Sequence, residues 1–138
     1  MKGPVIVDTG PLVALLNRRE RHHDWSHEQF KLLRPPLVTC EAVISEAGFL
    51  LRGIDGGVDA LMQLLSRAVV TTPFCLADEL PTVSRLLTRY RSTPMSLADA
   101  CLVRMAEQYA DSSVFTLDRH FRIYRKNGRL VIPTLMPE

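Results

Sequence analysis

The chain reads as an α/β protein built on a mainly parallel sheet with helices on its faces. Two observations carry that reading. Short apolar runs of strand character alternate with helical patterns along the whole sequence. Asp8 and Asp118 directly follow two of those runs, Val5-Ile6-Val7 and Val114-Phe115-Thr116-Leu117. The carboxyl ends of parallel strands are where such sheets bind ligands. The 138 residues suit one domain over 1–138, with no repeat, low-complexity tract or linker to divide them.

The elements follow in order. The first strand is expected over residues 4–8. Thr9-Gly10-Pro11 then turns into a short helix, with Pro11 suited to a first helical position. A second helix covers 24–34 and stops at Pro35-Pro36. Leu37-Val38-Thr39 is a short strand, and Thr39 is expected to cap a helix over 40–52 that Gly53 ends. Asp55-Gly56-Gly57 opens a helix running to about Arg67, followed by a strand at 68–72 and a break at Pro73. Residues 78–91 are helical, and Pro94 closes that stretch. Ser96 caps a helix over 97–110, a strand follows at 113–117, and a short helix begins near Asp118. Asn127-Gly128 turns into a last strand around 130–132.

Composition narrows the functional classes. A hydrophobic fraction of 46% and a charged fraction of 23% are those of an ordinary globular protein. No apolar run approaches the roughly 20 residues a membrane-spanning helix needs. Met1-Lys2-Gly3-Pro4 leads straight into a strand without an apolar leader. Cys40, Cys75 and Cys101 are unclustered in apolar surroundings and are expected to be buried thiols in a reducing compartment. The expected location is cytoplasmic, with no membrane partner. The net charge of +2 says little about partners, although 14 of the 17 basic residues are arginines, whose forked side chain suits phosphate oxygens.

Four acids carry the chemistry: Asp8, Glu46, Asp99 and Asp118. Carboxylates gathered in a cleft repel each other and lose hydration, so they need a cation. Oxygen-only ligands suit Mg²⁺ or Mn²⁺. Each acid also has a plainer reading. Asp8 could tie down its turn backbone, and Asp118 could cap the helix after it. Asp99 stands three residues after Ser96, the spacing of a capping box. It also leads the inward stripe Asp99, Leu102, Val103, Ala106. Glu46 shares a helix face with Val43, Ala47 and Leu50, and so is expected to point at or beside the core. The case rests on all four together.

Beside Asp118, the residues Arg119, Arg122, Arg125 and Lys126 recur at helical spacing and would form one basic face, suited to a phosphate backbone. A solvated helix surface explains them equally well. His22, His23, His27 and His120 have no assigned role. Trp25, Tyr90 and Tyr124 are scattered, with no base-stacking platform visible. No Walker A loop, GxGxxG, GxSxG, HExxH or CxxC motif is present. An aspartyl-phosphate route fits poorly, because no second acid stands two residues after Asp8.

The ordered set of Val5-Ile6-Val7-Asp8-Thr9-Gly10-Pro11-Leu12, Val43-Ile44-Ser45-Glu46-Ala47, Ser96-Leu97-Ala98-Asp99-Ala100 and Phe115-Thr116-Leu117-Asp118-Arg119-His120-Phe121 resembles the PIN-domain ribonucleases, in particular the short VapC-type toxins. The resemblance implies a PIN-like fold, a central parallel sheet of about five strands between helices. It implies that Asp8, Glu46, Asp99 and Asp118 form the catalytic set and hold one or two Mg²⁺ or Mn²⁺ ions for hydrolysis of RNA phosphodiesters. Glu46 would bind the ion directly or through water, or would help orient the attacking water. Thr9, Ser96 and Thr116 would support the carboxylates or a substrate phosphate by hydroxyl donation, and Arg119 and Arg122 would contact RNA. A homodimer and a cognate antitoxin, whose basic side chain enters the acidic site, are implied as well. The non-enzymatic alternative is a PIN-like RNA- or protein-binding module that holds metal without turnover.

Overall fold

A computed structural model describes residues 3–138. The expectation about an N-terminal leader falls partly on Met1 and Lys2, outside the described residues. The sheet is fully parallel and five-stranded. Its strands are β1 (Val5–Val7), β2 (Leu37–Val38), β3 (Val70–Thr71), β4 (Ser113–Phe115) and, after an intervening hairpin, β7 (Thr134–Leu135), in the spatial order β3-β2-β1-β4-β7. Val5, Ile6 and Val7 are all buried, as a central strand covered on both faces requires. The register is continuous through the middle: Ile6 pairs with both Val38 and Val114, and Val7 with Phe115.

Helices flank this sheet: α1 (Thr9–Leu16), α2 (His23–Leu32), α3 (Glu41–Leu51), α4 (Gly57–Ser66), α5 (Leu80–Arg89) and α6 (Leu97–Gln108). The most deeply set is α6, where eight residues from Ala98 to Ala106 are buried, among them the stripe Leu102, Val103 and Ala106 at 0–1% exposure. Each large aliphatic side chain removed from water in this way contributes roughly 1.5–3 kcal/mol. Phe115 is clamped from the α2 side, with Trp25 edge-on at 5.6 Å and Phe30 at 5.2 Å.

The chain builds outward from β1 to β2 to β3, then crosses back to lay β4 on the other side of β1. The order therefore reverses between β1 and β4. That reversal leaves a crevice beyond their carboxyl ends, and Asp8 and Asp118 follow these two strands.

Several sequence expectations are corrected. Thr39 does not cap α3. Its hydroxyl donates to the Val7 carbonyl at 2.6 Å and ties β2 to β1, while Cys40 stands at the N-cap. The last strand of the sheet is Thr134–Leu135. The segment expected there, around 130–132, instead supplies β6 (Leu130–Val131), which pairs antiparallel with β5 (Arg125–Lys126). Asn127 and Gly128, at φ 53° and 81°, make the tight turn between them, so the chain needs the further residues to Thr134 before it can return to the sheet. The single basic helical face is lost for the same reason. Arg119 and Arg122 lie on a 3₁₀ turn (Arg119–Arg122), whereas Arg125 and Lys126 lie on a strand. Cys40 and Cys101 are buried but Cys75 is exposed.

Candidate active site

Each acid is brought to the crevice by a different element. Asp8 is the N-cap of α1, at the point where β1 ends. It is only 6% exposed, and both of its carboxylate oxygens are held. The Thr9 N–H donates to Oδ1 and the Thr116 hydroxyl donates to Oδ2, each at 2.7 Å. The turn reading of Asp8 is thus correct as far as it goes, and it leaves open lone pairs facing the cleft.

Thr116, fully buried, does two things at once. Its hydroxyl donates to Asp8 and accepts the Asp118 N–H at 2.9 Å. One oxygen atom therefore fixes the spacing of the two strand ends. On the other side, Gly10 comes so close to Leu117 that a β-carbon there would meet three Leu117 atoms at 3.2 Å. The start of α1 is pressed against the chain entering Asp118.

Asp118 caps the 3₁₀ turn, with Oδ1 accepting the His120 N–H at 2.9 Å and its ring Nδ1–H at 2.7 Å. His120 thereby acquires a place, as a neighbour that orients Asp118. Asp99 serves as both cap and site residue. Ser96 and Asp99 form the full capping box: the Asp99 N–H donates to Ser96 Oγ, and the Ser96 N–H to Asp99 Oδ2. The same Oδ2 accepts the Tyr124 hydroxyl at 3.1 Å, and Oδ1 accepts no hydrogen bond among the described residues.

Glu46 differs from its expectation. The buried band of α3 runs along Val43, Ala47 and Leu51, an i, i+4 row. Glu46 sits about 60° round the helix from Val43 and about 100° from Ala47, at the centre of that band, and is exposed. It reaches the cleft at the rim instead of pointing into the core.

The four acids line one cleft of about 610 Å³ together with Thr9 and Ser96. Arg119 and Arg122 are exposed residues of the turn beyond Asp118 and do not line it. His22 lines the cleft, whereas His23 bonds through Nδ1 to the Ala14 carbonyl at 2.7 Å and joins α2 to α1.

Two of the acids, Asp8 and Asp99, have their carboxyls raised. Burial pushes the Asp8 carboxyl up to about 6, against the pull of its Thr116 and Thr9 hydrogen bonds, with smaller upward contributions from Asp99 and Asp118. Asp99 is raised as well, first by burial, with Asp118 adding to it. The Tyr124 hydroxyl is raised by burial and by the negative field of Asp99.

The donor set fits a hard cation in its chemistry: oxygen ligands only, two carboxylates largely removed from water, and a buried Thr9 hydroxyl that has no hydrogen-bond partner among the described residues. The carboxylates line the cleft without closing on one point. Among the described residues, no three His, Cys, Asp or Glu side chains are grouped as a metal cage.

Tyr124 is the site residue that the sequence hid. It is fully buried and packs edge-on against Tyr90 at 5.1 Å and Phe121 at 5.2 Å. Tyr90 and Tyr124, scattered in sequence, thus meet in a single cluster, and it holds Asp99 rather than stacking on bases. The available signal was the spacing Phe121–Tyr124, which marks two ring positions on one side of a short turn.

A five-stranded parallel sheet ordered β3-β2-β1-β4-β7, with an acidic cleft at its point of reversal, defines an α/β fold whose cleft donors are oxygen atoms. A family model for the PIN domain matches residues 5–127, and the chain belongs to the PIN-domain family. It is similar to Ribonuclease VapC26 of Mycobacterium tuberculosis (strain ATCC 25618 / H37Rv), with 30% identity over 128 residues that span 90% of this chain and 94% of the relative. Its fold matches the crystal structure of Mycobacterium tuberculosis VapC20, described as a sarcin-ricin loop cleaving toxin, with a TM-score of 0.68 and 23% identity over 75% of this chain and 82% of that one. The PIN-like fold expected from the sequence is the fold observed. No helix among the described residues is long and apolar enough to cross a membrane.

Proposed function

We infer that the protein is a metal-dependent endoribonuclease, one PIN-like domain that hydrolyses RNA phosphodiester bonds and serves as the toxin of a toxin–antitoxin pair. The observation that carries this reading is the buried Asp8 carboxylate, fixed by Thr116 at the reversal of the sheet and facing a cleft that Asp99, Asp118 and Glu46 also line. The relationship to a ribonuclease of almost equal length supports it.

Asp8, Asp99 and Asp118 would hold one or two Mg²⁺ or Mn²⁺ ions, with Glu46 reaching them from the rim directly or through water. A bound ion of this kind supplies an acidified water and neutralises charge on the phosphate. The chain's own groups do the rest. Thr116 and the Thr9 N–H keep the Asp8 carboxylate from rotating, and Ser96 and Tyr124 do the same for Asp99. His120 steadies Asp118. The free Thr9 hydroxyl can donate to a carboxylate or to a phosphate oxygen. Glu46, exposed at the mouth, would orient the attacking water. Arg119 and Arg122 would steer and hold the RNA backbone.

The acidic cleft also suits a basic side chain from an antitoxin, which would compete with the cation for the same carboxylates. A homodimer and a cytoplasmic location belong to this reading. The test is incubation of the purified protein with a mixed RNA pool in Mn²⁺, Mg²⁺ or EDTA, beside Asp8→Asn. Cleavage that needs metal and vanishes in the variant supports the nuclease. Metal binding without cleavage supports a binding module instead.

A further inference from the structure

A second opening lies between α5, α6 and the β5–β6 hairpin, with a volume of about 720 Å³. Arg85, Arg89 and Arg104 line it, interleaved with the hydroxyls of Thr82, Ser84 and Thr88. The charges are not balanced inside the groove. Of these three cations, Arg104 pairs with carboxylates, bonding Glu79 and Glu107, and Glu107 also accepts the Asn127 N–H. Arg85 and Arg89 have no carboxylate partner among the described residues. Among the described residues Arg85 bonds only Thr82, one turn back on its own helix. Arg89 donates to the Gly128 carbonyl and lies 5.3 Å from the Tyr90 ring centre, which aims its guanidinium along the hairpin wall.

The groove and the acidic cleft are neighbours. Arg89 ends α5, and seven residues on Ser96 begins α6, with Pro94 and Ser96 lining the cleft. The short loop 90–95 is therefore the ridge between the two openings, and it carries a further exposed cation, Arg91. Arginine forks set among hydroxyls match the tetrahedral oxygens of a phosphodiester.

We propose that the α5–α6–hairpin groove binds the phosphate backbone of the RNA strand as it leaves the acidic cleft across loop 90–95, with Arg85 and Arg89 as the phosphate contacts. The proposal rests on the ribonuclease reading for its ligand, but it is tested by binding and not by turnover. The groove acts only on RNA long enough to cross the ridge, so its signature is dependence on length.

The experiment measures fluorescence anisotropy of labelled single-stranded RNA on the full chain in EDTA, comparing a mixed-sequence strand of about 20 nucleotides with one of about 4. Arg85→Ala/Arg89→Ala is set beside Arg34→Ala/Arg67→Ala, which removes the same charge from exposed positions elsewhere. The single variant Arg85→Glu disturbs no contact beyond Thr82 and guards against a loosened hairpin. The expected result is a loss of about tenfold or more for the long strand in both groove variants and none for the short one. Two lost phosphate contacts should also flatten the slope of log affinity against log salt by about 1.4. Equal loss at both lengths, equal loss in the Arg34/Arg67 control, or no loss would overturn the proposal. No binding of the long strand by the unmodified protein would overturn it too. Length-dependent binding without metal-dependent cleavage would keep the groove and remove the nuclease.

Discussion

The Tyr124 hydroxyl donates to Oδ2 of Asp99 at 3.1 Å, from a ring with no exposure to solvent. Because the same oxygen accepts the Ser96 N–H, the carboxylate plane is set from two sides and Oδ1 is left to the cleft. Tyr124→Phe keeps the ring and removes only the donor. It should cost about 0.5–1.5 kcal/mol of stability and raise the Mg²⁺ concentration needed for half-maximal cleavage several-fold. Calorimetric titration with Mg²⁺ checks the binding half independently. An unchanged metal midpoint would leave Tyr124 a packing residue.

Asp8 gives a pH dependence with a definite sign. Its carboxyl stands at about 6 in the folded chain against 3.8 for an unperturbed one. The folded state therefore holds a proton that the unfolded state has released, so stability of the metal-free protein falls as pH rises from about 4 to 6. Above that window the loss is on the order of 3 kcal/mol. Asp8→Asn should melt higher than the parent in EDTA at pH 7.5, with the advantage gone near pH 4. Added Mg²⁺ should stabilise the parent far more than the variant. Melting curves at the two pH values decide it: equal curves at pH 7.5 would contradict the burial argument.

Thr116 links Asp8 to the backbone of Asp118 through one hydroxyl. Thr116→Val preserves shape but leaves the Asp118 N–H without its acceptor and Asp8 Oδ2 without its donor. A loss of roughly 1–3 kcal/mol in urea denaturation is expected, with a fall in cleavage of tenfold or more. Thr116→Ser should recover most of both. Recovery of stability without activity would mean that the methyl group also matters to the site.

Asp99 has two roles that substitution can separate. Asp99→Asn retains a carbonyl oxygen for Ser96 and Tyr124 while discarding the charge, so cleavage should fall by at least a hundredfold with stability changed by less than about 1 kcal/mol. Asp99→Ala loses the capping box too and should cost about 1 kcal/mol more. If Asp99→Asn cuts RNA at the parental rate, Asp99 is a cap and nothing else.

Arg119 and Arg122 are exposed on the turn that Asp118 caps. Arg119→Ala/Arg122→Ala should weaken binding of all single-stranded RNA sequences alike, short strands included, and raise KM with little change in kcat. Parental KM at low salt would dismiss them as RNA contacts. The response of short strands separates this effect from that of Arg85 and Arg89.

The sheet and the acids are legible in the sequence because they rest on local signals. Val5-Ile6-Val7 and Val114-Phe115-Thr116-Leu117 are strand-like runs directly followed by acids, and Ser96 to Asp99 is a spacing that a helix start uses for itself. What the sequence hides depends on relations between distant segments. Thr39 has the position of a cap because it precedes a helix, but its hydroxyl finds the Val7 carbonyl on a neighbouring strand, which no window of sequence contains. Glu46 lies a row further out than its spacing suggests, because whether a helix buries its i, i+3 or its i, i+4 row depends on how it crosses its neighbours. Arg119 to Lys126 have helical spacing by arithmetic alone. The Asn127-Gly128 turn, visible in the same stretch, favours a hairpin that claims Arg125 and Lys126 for a strand.

The hydrogen bond from Thr116 to Asp8 joins residues 108 positions apart, and the strand that brings them level is inserted beside the first one. A chain still being synthesised exposes Asp8 early but cannot complete the carboxylate set until Asp118 has emerged and β4 has docked in register. Domains fold as units, and here Asp8 and Asp118 meet only once the strand preceding Asp118 has paired with the first. The cleft is thus a property of the finished sheet and of no shorter stretch of the chain.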